Sequence, residues 1–221
     1  MSKTVYLELP VTEEQVRELE IGDIVYIKGK LFTSRDRAHA RAVDQIKEEK
    51  TLPMDYASGA MWHCGPIMRQ DHEGAWHVEV AGATTSSRFS ERATYLIRQL
   101  GLRVIIGKGT MEQEVVDAMC EIGCIFLTLT GGCAALYAEQ IAEVETVYWH
   151  DLDMVDAVWV MHTQQMGPLI VGIDAHGNSI YAQKRPAVQK KIDEYYEEKG
   201  IDRFYDYAYL PKKTPGRSEP F

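Results

Sequence analysis

Cysteine is scarce in this chain, and what there is lacks metal-site spacing. The four cysteines, Cys64, Cys120, Cys124 and Cys133, form no CxxC pair. Gly123 is expected to end a helix between Cys120 and Cys124, so those two need not share a face. All four read as small hydrophobes in a reducing compartment, and the chain itself is expected to hold no zinc or iron–sulfur centre. Positive charge does not predominate either. Twenty-four Lys and Arg stand against 33 Asp and Glu, a net charge of −9. With no basic stripe to offset that balance, nucleic acid and anionic membranes are excluded as non-specific partners. A long apolar run is also missing. The most apolar stretch, CIFLTLTGGCAALYA at 124–138, is too short to span a bilayer and is interrupted by two glycines. The opening SKTVYLELPVTEEQ has no apolar core flanked by basic residues, so a cytoplasmic location is expected.

What is present is an ordinary globular composition, 45% hydrophobic and 26% charged, over 221 residues. That length is ample for one buried core. The expectation is a single domain over 1–210, with a mobile tail at 211–221 because KKTPGRSEPF has no apolar periodicity. Strands are predicted at 4–9 and 22–29, joined by an acidic connector at 11–21. A helix follows from Asp36 to Lys50, with His39, Ala42, Val43 and Ile46 on its apolar stripe. Further strands are predicted near 59–64, 76–82, 103–106 and 124–129. The helices between them carry Ala93, Leu96, Ile97 and Leu100, then Met111, Val115, Met119 and Ile122, closed by Gly101 and Gly123. A small-residue helix, AALYAEQI, follows GGC at 131–133. Strands at 146–149, 168–174 and 178–182, with a turn at AHGN, and a last helix from Pro186 to Lys199 complete the pattern. Repeated strand–turn–helix units place the chain in the α/β class, with a partly parallel sheet.

Three junctions stand out: LFTSRDRAH at 31–39, VAGATTSSRFSER at 80–92 and VIIGKGTMEQE at 104–114. At each, a strand-like run breaks into a loop with a basic residue, and a helix then begins. Helix starts offer free N–H groups and the positive end of the helix dipole, and both favour an anion. Arg35, Arg88 and Lys108 add formal charge; Thr84, Thr85 and Ser86 add hydroxyls. In parallel sheets ligands gather beyond the carboxyl ends of the strands, where such loops lie. Together these strand–loop–helix anion-binding turns point to a ligand with two or more anionic groups, a dicarboxylate or a phosphate.

Each of these residues has a plainer reading as well. Asp36 suits a helix start as a cap. His39 lies on an apolar stripe and can be a core histidine, or an acid/base near neutral pH. One or two hydroxyls of ATTSSR could cap the helix beginning near Ser90, although four in a row followed by Arg exceed that need. GKG at 107–109 fails the phosphate-loop pattern, since no glycine stands at the required upstream position and Gly109 follows the lysine. HCGP at 63–66 reads as a turn that could present backbone to a ligand.

The ordered motifs GDIVYIKG, TSRDRAH, HCGP, GATTSSR, VIIGKGTM, GGCA, DLDMVDAVW and GPLIVGIDAHGN resemble those of the β subunit of two-subunit iron–sulfur hydro-lyases. That group comprises class I fumarate hydratases and L(+)-tartrate dehydratase, and the resemblance runs from about residue 20 to 184. It implies a swivelling β/β/α domain that closes over an α subunit in a heterotetramer or higher assembly. The α subunit would carry a [4Fe–4S] cluster on three cysteines, with one iron open to act as a Lewis acid. By the same resemblance Arg35, Arg88 and Lys108 are substrate-carboxylate ligands, with Thr85 and Ser86 beside them. Thr84 and His39 are rival proton-transfer groups, with Asp36 in the same catalytic set. Ala83 replaces a usual proline, and Phe89 a usual methionine. Thr128 and Thr130 make the strand before GGC more polar. The expected activity is reversible hydration of a C4 dicarboxylate, fumarate to malate first and tartrate to oxaloacetate second. A non-catalytic dicarboxylate-binding regulatory module is the alternative of another class.

Overall fold

The computed structural model describes residues 2–201. The contacts gather into two units, Met1–Gln183 and Lys184–Phe221, and the first holds every candidate site residue named above. The tail expected at 211–221 lies outside the described residues.

The strands are β1 (Thr4–Glu8), β2 (Ile24–Thr33), β3 (Ala60–Trp62), β4 (Ile67–Gln70), β5 (Trp76–Val80), β6 (Val104–Gly107), β7 (Ile125–Thr128), β8 (Ile141–Tyr148) and β9 (Val158–Ile173). The helices are α1 (Glu13–Arg17), α2 (Asp36–Lys47), α3 (Ser90–Leu100), α4 (Gln113–Ile122), α5 (Ala134–Glu139) and α6 (Ile180–Lys199). No helix among the described residues is long and apolar enough to cross a membrane.

Seven strands form one mixed sheet in the order β1-β2-β3-β6-β7-β9-β8. The pairs from β1 through β7 are parallel. Strand β9 runs antiparallel to β7, to β8 and also to β2. That last pairing closes β2, β3, β6, β7 and β9 into a ring. Alternate side chains then enter two different cores. Ala60, Trp62, Val104, Ile106, Ile125, Leu127, Trp159 and Met161 fill one. Met61, Ile105, Phe126, Val158 and Val160 face the other, against Ala38 and Ala42 of α2, Leu96 and Ile97 of α3, and Val115 and Met119 of α4. Burial on both faces is why VIIG and IFLT read as unbroken apolar runs. Helices α3 and α4 end at Gly101 (φ 61°) and Gly123 (φ 74°), whose amides return to Ile97 and Met119.

Four expectations need correction. The strand predicted at 178–182 is absent beyond one bridge between Ile173 and Ser179. The Asp174 carboxylate instead accepts the amides of His176 and Asn178 and closes a turn. Helix α6 begins straight after it, at Ile180, so Pro186 lies inside that helix and not at its start. The strand predicted at 168–174 begins ten residues earlier, because Gly167-Pro168 does not end it. The register with β2 shifts between Val25/Leu169 and Ile27/Met166, and this bulge absorbs the proline that has no N–H to give. Finally, β5 belongs to a separate two-stranded sheet with β4, so the second junction does not leave a strand of the main sheet.

Candidate functional site

Because β2, β3, β6 and β7 are parallel neighbours, their carboxyl ends lie side by side. Thr33 closes β2 by donating to the Ala157 carbonyl at 3.1 Å and accepting the Trp159 amide at 3.0 Å. Ser34, Arg35 and Asp36 follow, then α2. Beyond β3 come His63, Cys64 and Gly65; beyond β6 comes Lys108.

The loop between β5 and α3 crosses these ends like a short added strand. Ala83 bridges Cys64, and Thr85 bridges Lys108. The Thr84 amide donates to the His63 carbonyl at 2.7 Å, and the Ser86 amide to the Lys108 carbonyl at 3.0 Å. Arg88, at the start of α3, reaches the start of α2, where its Nη2 donates to Asp36 Oδ2 at 2.7 Å. So the three junctions, scattered over some 80 positions of chain, share one place.

The hydroxyl cluster does not cap its helix. Phe89 holds the N-cap position of α3 with no side-chain bond, and Arg35 does likewise for α2. Ser86 Oγ lies 3.0 Å from His63 Nδ1, and Ser90 Oγ donates to the Ser87 carbonyl. Asp36 holds Arg88 and caps nothing. Thr84 is half-buried and Thr85 exposed, while Ser86 is fully enclosed.

Arg35 is confined. Its Nη2 lies 4.0 Å from Asp36 and its Nε 3.9 Å from Asp156 Oδ1, and both Nε and Oδ1 are buried without a hydrogen bond. Gly65 makes room for it: a Cβ there would overlap the guanidinium and sit 3.0 Å from the Val155 carbonyl. Arg88 is more open, with half its side chain exposed. The Lys108 chain runs past Gly131, and its ammonium pairs with no carboxylate among the described residues.

Beneath these loops lie two histidines. His39 is fully buried, its Nδ1 2.9 Å from both Ser34 Oγ and the Arg35 carbonyl. Its ring stacks on Phe89 at 5.0 Å and lies 5.2 Å from His63. Burial pushes the His39 pKa down to about 4, only partly opposed by the Arg35 carbonyl and Asp36. His63 is pushed well below its ordinary value by burial and by His39. Both rings are therefore neutral at pH 7, each with a buried Nε2 that has no partner.

His63 and Asp156 joined this constellation without being singled out by sequence. Their signals were the motifs HCGP and DLDMVDAVW, in which the Gly-Pro pair drew attention to a turn and away from the histidine before it.

The family model described as Fumarase C-terminus matches residues 1–184. An L(+)-tartrate dehydratase subunit beta of Escherichia coli strain K12 is 32% identical over 192 residues, which are 87% of this chain and 94% of that one. A Methanocaldococcus jannaschii chain provisionally given the same subunit name is 38% identical over 185 residues, 83% and 94% of the two chains. A Geobacillus stearothermophilus protein provisionally named fumarate hydratase class I is 34% identical over 195 residues, 88% of this chain but 37% of its own length. This chain belongs to the fumarase C-terminus family, and within it to the β-subunit type found in L(+)-tartrate dehydratase.

Proposed function

We propose that this chain is the β subunit of a hydro-lyase that reversibly adds water to a C4 dicarboxylate, with fumarate and (S)-malate as the leading pair. The observation that carries this reading is that Arg35 and Arg88 meet at Asp36, while the loop just before Arg88 pairs with Lys108 through Thr85 and Ser86. Two carboxylates at either end of a short ligand need cations on more than one side, and charge-assisted bonds to Arg are directional. Arg35 and Arg88 flank Asp36, and Lys108 approaches from the β6 side. The exposed Thr85 hydroxyl completes the grip, while Ser86 contributes by tying the loop to Lys108 and not through its own enclosed hydroxyl.

Thr84 is the better candidate for moving the substrate proton. It is only half-buried, whereas His39 lies wholly beneath Phe89 and Arg35. A threonine needs an activating neighbour, which an acidic residue of a partner would supply. His39 then serves to hold Ser34 and the Arg35 carbonyl.

A [4Fe–4S] cluster would belong to the α subunit. The cysteines here do not suit it: Cys64 and Cys124 lie in opposite cores, and burial pushes both thiols up, away from the thiolate a metal needs. When bound in the partner, such a cluster supplies Lewis acidity towards the substrate hydroxyl. The subunit names of the relatives support a partner, and in this reading the two subunits form a heterotetramer or larger assembly. Four free cysteines suit a reducing compartment such as the cytoplasm.

L-Tartrate is the second reading, favoured by the near full-length match to chains named for tartrate dehydratase. The test is to co-express the chain with an α-type partner, reconstitute the cluster anaerobically, and offer L-malate and L-tartrate separately. Fumarate absorbance rising with malate is expected. Oxaloacetate from tartrate alone would transfer the assignment. Neither product from a well-formed complex would overturn the hydro-lyase reading and leave a dicarboxylate-binding module.

A further inference from the structure

We propose that His63 is a positioning residue that fixes the Thr84–Ser86 loop, and with it the Thr84 hydroxyl, over the ends of β3 and β6. The proposal rests on the hydro-lyase reading only for what the loop does, not for how it is held. Three attachments leave this one residue. Its amide donates to the Ile106 carbonyl at 2.9 Å, which anchors it to β6. Its carbonyl accepts the Thr84 amide at 2.7 Å. Its Nδ1 lies 3.0 Å from Ser86 Oγ. Thr84 is thus tied on both sides, through its own amide and through the side chain two positions on. Ser86 carries the tie to Lys108 through its amide.

The side-chain bond is made where a polar pair is costly. His63 and Ser86 are both fully buried, packed on Phe89, whose ring centre lies 4.7 Å from that of His63. An apolar pair of the same volume would avoid the desolvation of two polar groups. What an apolar pair lacks is direction. The backbone makes space for this pair, since a Cβ on Gly107 would overlap Ser86 Oγ and sit 3.0 Å from the Phe126 ring. A contact that fixes a loop within a fraction of an ångström matters most beside a reacting group.

The variants are His63→Asn, His63→Leu, Ser86→Ala and the double His63→Leu/Ser86→Ala. Asparagine can return an amide near the place of Nδ1; leucine fills the space without a bond. In the reconstituted complex, His63→Leu is expected to lower kcat about 100-fold while KM moves less than about threefold. His63→Asn should recover at least about tenfold of that. The double variant should be no worse than the poorer single one, because both remove the same bond. In the chain alone, amide hydrogen exchange at 84–86 should quicken in His63→Leu and Ser86→Ala, beyond any general change in the sheet. Should His63→Leu not fold, Ser86→Ala and His63→Asn decide the matter. Exchange at 84–86 unchanged in Ser86→Ala, or kcat within threefold of the parent in a folded His63→Leu, would overturn the proposal. If the parent complex turns over neither dicarboxylate, the functional reading fails while the exchange result still stands or falls by itself.

Discussion

Arg88 Nη2 donates to Asp36 Oδ2 at 2.7 Å, so the starts of α2 and α3 are joined by a carboxylate of the chain's own. One edge of the guanidinium is held in place, and its remaining donors are free to receive a second carboxylate. Arg88→Ala should therefore reduce turnover of the reconstituted complex by two or more orders of magnitude, as loss of a desolvated charge-assisted contact in the closed complex costs about 3–5 kcal/mol. Its half-exposed side chain carries little of the core, so the thermal midpoint should stay within a few degrees. An Arg88→Ala complex with parental turnover would remove Arg88 from the carboxylate grip.

Gly65→Ala tests Arg35 without replacing it. The new methyl would displace the guanidinium and press on the Val155 carbonyl, which as backbone cannot swing aside. Overpacking of this kind costs about 1–3 kcal/mol. The expected result is a weaker dicarboxylate affinity, by tenfold or more in calorimetric titration, from a chain that still folds. Unchanged affinity would mean that Arg35 is not a ligand in the conformation seen here.

Acid should destabilise this chain earlier than its carboxylates alone would require. The folded pKa of His39, about 4, lies below the ordinary value of 6.5, so the folded state binds fewer protons than the unfolded one between those limits. The stabilisation is fully present above pH 6.5 and is lost as the pH falls towards 4. For His39 it amounts to something on the order of 3 kcal/mol. His63 acts in the same direction. Urea midpoints should fall between pH 7.5 and 5, and His39→Phe should flatten that slope. An equal slope in the variant would place the acid response elsewhere.

The Phe89 ring packs against both imidazoles, stacked on His39 and tilted against His63. Phe89→Ala should cost about 3–5 kcal/mol of stability, as for other large-to-small changes in a closed core. Phe89→Met, which keeps most of the volume, should cost under about 1.5 kcal/mol. A chemical-denaturation series on the three chains checks both figures.

Local order was the part of the fold most readable from sequence. Gly101 and Gly123 end their helices as expected, and the apolar runs VIIG and IFLT are strands because both faces are buried. Less readable was anything requiring distant partners. Closure of the ring by β9 was hidden because Gly167-Pro168 looks like a break, and only the opposing β2 register shows it to be a bulge. The helix start at Ile180 was hidden by Asp174, whose carboxylate turns the chain before a strand can form. At the site, Arg35 at the start of α2 and Arg88 just before α3 were legible as charges at helix starts, whereas Lys108 stands on the loop after β6, well before α4, whose N-cap is Glu112. That Arg88 would lean on Asp36, or that His63 would reach Ser86, depended on loops crossing strand ends, which no spacing along the chain encodes.

The pairing of β2 with β9 also has a consequence for biosynthesis. Thr33 donates to the carbonyl of Ala157, 124 positions later, and this contact seals the ring directly beneath Arg35. A nascent chain leaving the ribosome therefore emerges with the loops after β2, β3 and β6 already made but with the ring beneath them still open. Closure waits for the last strand of the sheet, and contacts of such long range form slowly. Until then two unpaired strand edges are open to wrong neighbours. For any partner that recognises the assembled loops, the closed surface exists only after synthesis has passed residue 173, where β9 ends.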